Sequence, residues 1–243
     1  MGRHTADVAI IFCPIPRGIV DSQLAEWLGQ DQNLDMPVTW TAPRDLLPRV
    51  RAAFEPLSLE TPPAIAIDLS EEWPTTKQSL RQSLRSARTA WSPLDAAVLH
   101  GPATLDHRDV LVQEGISAIG LDGFDAPARG SRRPAPQGWP CRSILWGLWE
   151  ASASEASRND IVGRVAEWCS RGRRPARLTM LRAAADPTAL TAAMLRARLD
   201  RHLAWARRRT QAGTLRVVTL SDLPTIIAGS STLSARGSVL RAA

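Results

Sequence analysis

The chain has 243 residues, 44% of them hydrophobic and 22% charged, which supplies enough apolar sequence for one large core and excludes long disorder. Its net charge of +6 comes with one lysine, Lys77, so the basic residues are arginines scattered from Arg3 to Arg241, a distribution that speaks against a phosphate-tracking nucleic-acid surface. Cys13, Cys141 and Cys169 are odd in number and far apart, which excludes a disulfide scaffold or a paired-cysteine zinc site and predicts reduced thiols.

The first apolar run, Val8 to Phe12, is too short for a membrane span and runs into prolines, so the expectation is a cytoplasmic protein with no membrane contact. Further short runs rich in Val, Ile and Leu follow at Pro37 to Thr41, Ala64 to Leu69, Ala96 to Leu99, Ile116 to Leu121, Ser143 to Leu148, Arg177 to Leu181 and Leu215 to Leu220. Their alternation with amphipathic stretches predicts βα units around a parallel sheet. Among those stretches, Thr75 to Trp91 sets Leu80, Leu84, Ala87 and Trp91 on one helical face and Arg81, Arg85 and Arg88 on another. Leu105 to Glu114 reads as a shorter helix closed by Gly115, and Thr188 to Gln211 as a long one stopped by Gly213. Asp122 to Pro140 is crowded with Pro, Gly and Arg and reads as a long loop. The expected organisation is a single α/β barrel-like domain over residues 1–228 with a tail at 229–243.

In a parallel barrel the residues at the C-terminal ends of the strands line one mouth, while the opposite end serves stability. That rule gathers Cys13, Thr41, Asp68, His100, Asp122, Trp149, Glu150, Arg182 and Thr219. Asp68, His100 and Asp122 combine two carboxylates with an imidazole, a set that can act as acid and base or bind a divalent cation. Capping of the following turn is the commoner role for Asp or His at such a place. Cys13 reads as a buried small hydrophobe, and His107 and His202 as structural. Trp139, Trp146 and Trp149 crowd one strand, with Trp149 and Glu150 as substrate-binding candidates because an indole can stack on a sugar face.

Three segments resemble the polysaccharide-deacetylase (NodB-type) family: the opening VAIIFCPIP, NLDMPVTWTAP, and the closing GTLRVVTLSDLP after a long helix. The resemblance implies a distorted (β/α) barrel of the glycoside hydrolase/deacetylase type, carbohydrate metabolism, and hydrolysis of an amide bond. Phe12 and Pro16 agree with the family's first motif, but its two aspartates fall on Cys13 and Pro14. Its histidine pair falls on Asp68 and Glu72, its Arg-x-Pro turn on His100, Gly101 and Pro102, and its late histidine on Arg182, while Asp122 and Asp125 match a pair of aspartates three apart. A metal-bound water needs several ligands and proline offers none, so the usual zinc-dependent deacetylation is not expected.

The expectation is therefore a deacetylase-like pseudo-enzyme, or an altered hydrolase using Asp68 or Asp122 as base, His100 as acid and Arg182 as anion contact. No cofactor is predicted, with zinc or another divalent metal the one alternative the site leaves open. The partner would be a saccharide or an acidic surface. The competing readings are a binding or scaffold protein using the Arg/Trp-rich region 129–150, with Arg129, Arg132 and Arg133, and a nucleic-acid binder.

Overall fold

The computed structural model describes residues 6–29, 36–55, 62–70, 76–100, 107–122, 141–145, 147–152, 178–183 and 191–229. Nine strands form one sheet: β1 Asp7–Pro14, β2 Thr39–Pro43, β3 Ala64–Asp68, β4 Ala96–His100, β5 Ala118–Asp122, β6 Cys141–Leu145, β7 Leu148–Ser152, β8 Leu178–Arg182 and β9 Leu215–Val218. The helices are α1 Asp21–Gly29, α2 Leu47–Phe54, α3 Lys77–Ala90, α4 Arg108–Gln113, α5 Ala192–Gln211 and α6 Leu223–Gly229. Both long helices start on threonine caps: the Thr76 hydroxyl accepts from the Ser79 N–H at 3.1 Å, and that of Thr191 from the Met194 N–H at 3.3 Å. Gly115 and Gly213, at φ 72° and 68°, supply the left-handed residues that end α4 and α5.

The strand order is β6-β7-β5-β4-β3-β2-β1-β8, with β9 also paired to β1, and each neighbouring pair is parallel except β6 with β7. Strands β1 to β5 thus follow one another in chain order without reversal. Crossovers of one hand then put their helices on one face. The core confirms it: Leu24, Val50, Leu84, Leu111 and Leu199 from the helices share one cluster with Ile11, Trp40, Ile67, Leu99 and Ile119 from the strands. The alternate strand residues, Val8, Ile10, Phe12, Ala66, Ala96, Val98, Ala118 and Ala151, form a second cluster with Leu220 and Leu223. Period-two alternation therefore divides each strand between an outer, helix-covered face and an inner face.

The sheet curls into a half-barrel. Gly120 on β5 is four strands from β1, a distance on the order of 19 Å in a flat sheet with ~4.8 Å between strands. Yet a Cβ built on Gly120 lies 3.4 Å from the Phe12 ring, 3.5 Å from the Met180 methyl and 3.6 Å from a Leu220 methyl, so β5 faces β1 and β8 across the interior. Small residues on β3, β4, β5 and β7 share this inner cluster with larger ones on β1.

Two details differ from expectation. The run Ser143 to Leu148, expected as one strand, is divided into the antiparallel pair β6 and β7 around Gly147, whose φ of 88° makes the turn. The final strand is followed by α6, which was not anticipated. Its approach segment lies under the half-barrel: the Leu220 N–H donates to the Thr39 hydroxyl at the start of β2 (2.9 Å), and the Ser221 hydroxyl donates to Asp95 just before β4 (2.6 Å). Leu223 and Ile226 then pack on the inner cluster from below. Residues 230–243 of the expected tail lie outside the described residues.

Candidate functional site

Strands β3, β4, β5 and β8 end on Asp68, His100, Asp122 and Arg182 respectively. Each occupies the inner-face parity of its strand, two residues beyond Ala66, Val98, Gly120 and Met180, all of which contact the inner core. The outer-parity neighbours Ile67, Leu99, Leu121 and Leu181 belong to the helix-side cluster. Alternation and strand length together put four polar residues at the inner-parity ends of their strands.

The register explains how strands of unequal placement share a rim. Arg182 lies opposite Phe12, Pro43 opposite Asp68, Asp68 opposite Val98, and His100 opposite Asp122. From β8 to β5 the strand ends climb by about one residue per strand, the stagger that tilted strands need when a parallel sheet curls toward a barrel. His100 and Asp122 are direct partners on adjacent parallel strands, with Cα atoms separated by the ~4.8 Å inter-strand spacing. Asp68 lies one strand away, and its Oδ1 accepts hydrogen bonds from the Ser70 N–H at 2.9 Å and from the Ser70 hydroxyl. This is the turn-capping role expected of an Asp after a strand.

Other expected rim residues lie elsewhere. Trp149 and Glu150 were placed at the mouth by treating residues 143–148 as one strand, and the hairpin corrects that position. Trp149 lies opposite Ala118, the first residue of β5, and packs into the inner core near the base of the sheet. Glu150, opposite Ile119, is turned outward and buried, its Oε2 4.0 Å from the Arg108 guanidinium on α4. Thr219 belongs to the base as well, where its hydroxyl and N–H donate to Asp222 at the start of α6. Thr41 is buried at an inner-parity position of β2. Glu72, Gly101, Pro102, Asp125, Arg129, Arg132, Arg133, Trp139 and Trp146 lie outside the described residues.

The end of β1 puts no metal-ligating side chain on the inner face. Cys13 is fully buried in the helix-side cluster, facing away from the mouth, and Pro14 beside it carries no ligand atom. A zinc ion held in the manner of the deacetylases would need carboxylates at these two places, so the residues present do not fit that group. Among the described residues no three His, Cys, Asp or Glu side chains gather into a metal-holding group. At these strand ends His100 and Asp122 are register partners, Asp68 is anchored in its own turn by Ser70, and Arg182 ends β8. Among the described residues no helix is long and apolar enough to cross a membrane. No family model matches the chain, and no curated protein matches it in sequence.

Proposed function

We propose that the chain is a polysaccharide-deacetylase-like protein, a divergent distorted (β/α) barrel that holds a saccharide at its mouth and has lost the zinc-dependent deacetylation of the family it resembles. What supports this reading is that four strands of the half-barrel end on Asp68, His100, Asp122 and Arg182, each at the parity of its strand's inner-core residues. Hydroxyl-rich ligands are bound by such mixtures of carboxylate acceptors and cationic donors over an apolar floor, here Phe12, Met180 and Leu220. The lost chemistry follows from Cys13 and Pro14, which cannot ligate a metal in the mouth.

The competing binding surface at 129–150 is not favoured, because Trp149 packs against the inner cluster and Glu150 is buried beside Arg108 on the helix side. Metal analysis combined with calorimetric titration of N-acetylglucosamine oligomers tests the proposal. Metal-free protein that binds the oligomers, with affinity lost in His100→Ala and Arg182→Ala, supports it. Stoichiometric zinc, or folded protein that binds no oligomer at millimolar concentration, overturns it.

A further inference from the structure

We infer that the outer face of α5, continued onto the start of β9, is an electrostatic docking surface for the phosphate backbone of a nucleic acid. The inference does not rest on the saccharide reading, because it shares no residue with the strand ends. Along the sequence the arginines are scattered, but their balance against acidic residues is uneven. Residues 191–218 hold seven arginines and a single acid, Asp200. Taking these from the 30 basic and 24 acidic residues leaves 23 of each, so this one segment carries the whole net charge of +6 and the rest of the chain is balanced.

The fold sorts the seven into two sets. Three are held within the protein: Arg196 pairs with Asp200 at 3.1 Å, Arg198 donates to the Ala183 carbonyl at 3.5 Å, and Arg209 pairs with Asp7 at 3.1 Å while lying 5.3 Å over the Trp205 ring. The other four, Arg201, Arg207, Arg208 and Arg216, are exposed. On α5 the buried face is Leu195, Leu199, Leu203 and Ala206, and the helical period puts Arg201, Arg207 and Arg208 on the opposite one. Arg216 extends the set onto β9, next to Leu215, the register partner of the Asp7 that anchors Arg209. The helix dipole favours cations in the last turn, which covers Arg208 but neither Arg201 in mid-helix nor Arg216 on the strand.

What this face lacks selects the partner. A protein interface or a membrane anchor is centred on exposed aromatic or large aliphatic side chains. Among the described residues of α5, Met194 near the helix start is the one large apolar side chain exposed. Phosphate binding needs no such anchor, since its free energy comes from counterion release, and a helix of 20 residues runs about 30 Å along a backbone. The planar fork of arginine also matches phosphate oxygens.

The test is fluorescence anisotropy of a labelled, mixed-sequence DNA duplex titrated with the full chain. Four phosphate contacts, each adding about −0.9 to the logarithmic salt slope, predict micromolar or tighter binding at low salt and an affinity that falls ~100-fold between about 50 and 200 mM salt. Arg207→Gln combined with Arg208→Gln should weaken binding about tenfold or more at low salt and halve the slope, whereas Arg207→Lys combined with Arg208→Lys keeps the charges and should retain both. Arg51→Gln combined with Lys77→Gln removes as much charge from exposed positions on α2 and α3 and should leave binding unchanged. Duplexes of unrelated sequence should bind alike, because backbone contacts carry no base information. No binding at low salt, equal losses in the two glutamine double variants, or tighter binding to polyglutamate or to anionic vesicles of matched charge would rule the surface out.

Discussion

The curl of the sheet is what makes a mouth out of separate strand ends, and one substitution tests it. Gly120 has no unusual backbone angle, so in a flat sheet replacing it by valine would favour the strand through β propensity. In the half-barrel the outcome reverses. A Cβ at this position already touches Phe12, Met180 and Leu220 at 3.4 to 3.6 Å. Each γ-carbon of valine reaches one bond, ~1.5 Å, farther than the Cβ and meets the ends of these side chains, of which Phe12 and Leu220 are buried. Overpacking of this kind costs about 1–3 kcal/mol, and Gly120→Val should lower stability by that amount in equilibrium urea unfolding. Gly120→Ala, whose single added carbon falls at ordinary contact distances, should be neutral or gain up to about 1 kcal/mol by restricting the unfolded chain. Truncating Met180 to alanine removes one of the three obstacles. In a double-mutant cycle Met180→Ala should therefore recover part of the Gly120→Val loss, with a coupling of about 0.5–2 kcal/mol. Met180 sits on β8 and Gly120 on β5, five strand positions apart along the sheet, so such coupling has no route in a flat arrangement. Additive effects, or a stabilising Gly120→Val, would refute the half-barrel and with it the shared mouth.

Two further outcomes follow from single contacts. Thr39→Val keeps the shape of a fully buried side chain but removes the oxygen that accepts the Leu220 N–H, so an N–H in the closed base loses its partner. The expected cost in urea unfolding is about 1–3 kcal/mol, largely restored in Thr39→Ser, and wild-type stability in Thr39→Val would show that the base is open to water. Lys77 donates to Asp109 at 2.6 Å and holds its carboxyl below the ordinary carboxylate value. A carboxyl depressed in the folded state contributes stability above its unfolded pKa and loses that contribution as pH falls through the lowered folded value. The melting temperatures of wild type and Lys77→Met should therefore differ slightly at neutral pH and low salt and converge in acid, and a gap that persists at acid pH would contradict the assignment.

The parts of this fold that were readable from the chain are those set by local order. Val8 to Phe12 and Ala96 to Leu99 are short apolar runs bounded by polar or turn-forming residues, and such runs in a parallel sheet end where the next side chain can meet solvent. That is why Asp68, His100, Asp122 and Arg182 were found at strand ends. The hairpin of β6 and β7 was hidden because Leu145, Trp146 and Leu148 continue the apolar run across the turn, and only Gly147 marks it. Trp149 and Glu150 were misplaced for that one reason. The base formed by α6 escaped notice because it depends on contacts between residues far apart, such as Leu220 with Thr39 and Ser221 with Asp95.

Which of two alternating faces becomes the interior is also a property of the whole sheet, and it changes the meaning of the strand ends. Cys13 and His100 both stand at or near the end of an apolar run, and local sequence treats them alike. The topology separates them: residue 13 shares the parity of Ile11 and is covered by helices, whereas residue 100 shares the inner parity of Val98. Cys13 is thereby buried on the helix-covered side, away from the inner-parity ends of β3, β4, β5 and β8. Those strands end on Asp68, His100, Asp122 and Arg182, and His100 and Asp122 are register partners on adjacent strands. The packing at Gly120 therefore tests whether these strand ends share one interior, because the curl that brings β5 onto β1 and β8 is what would gather them.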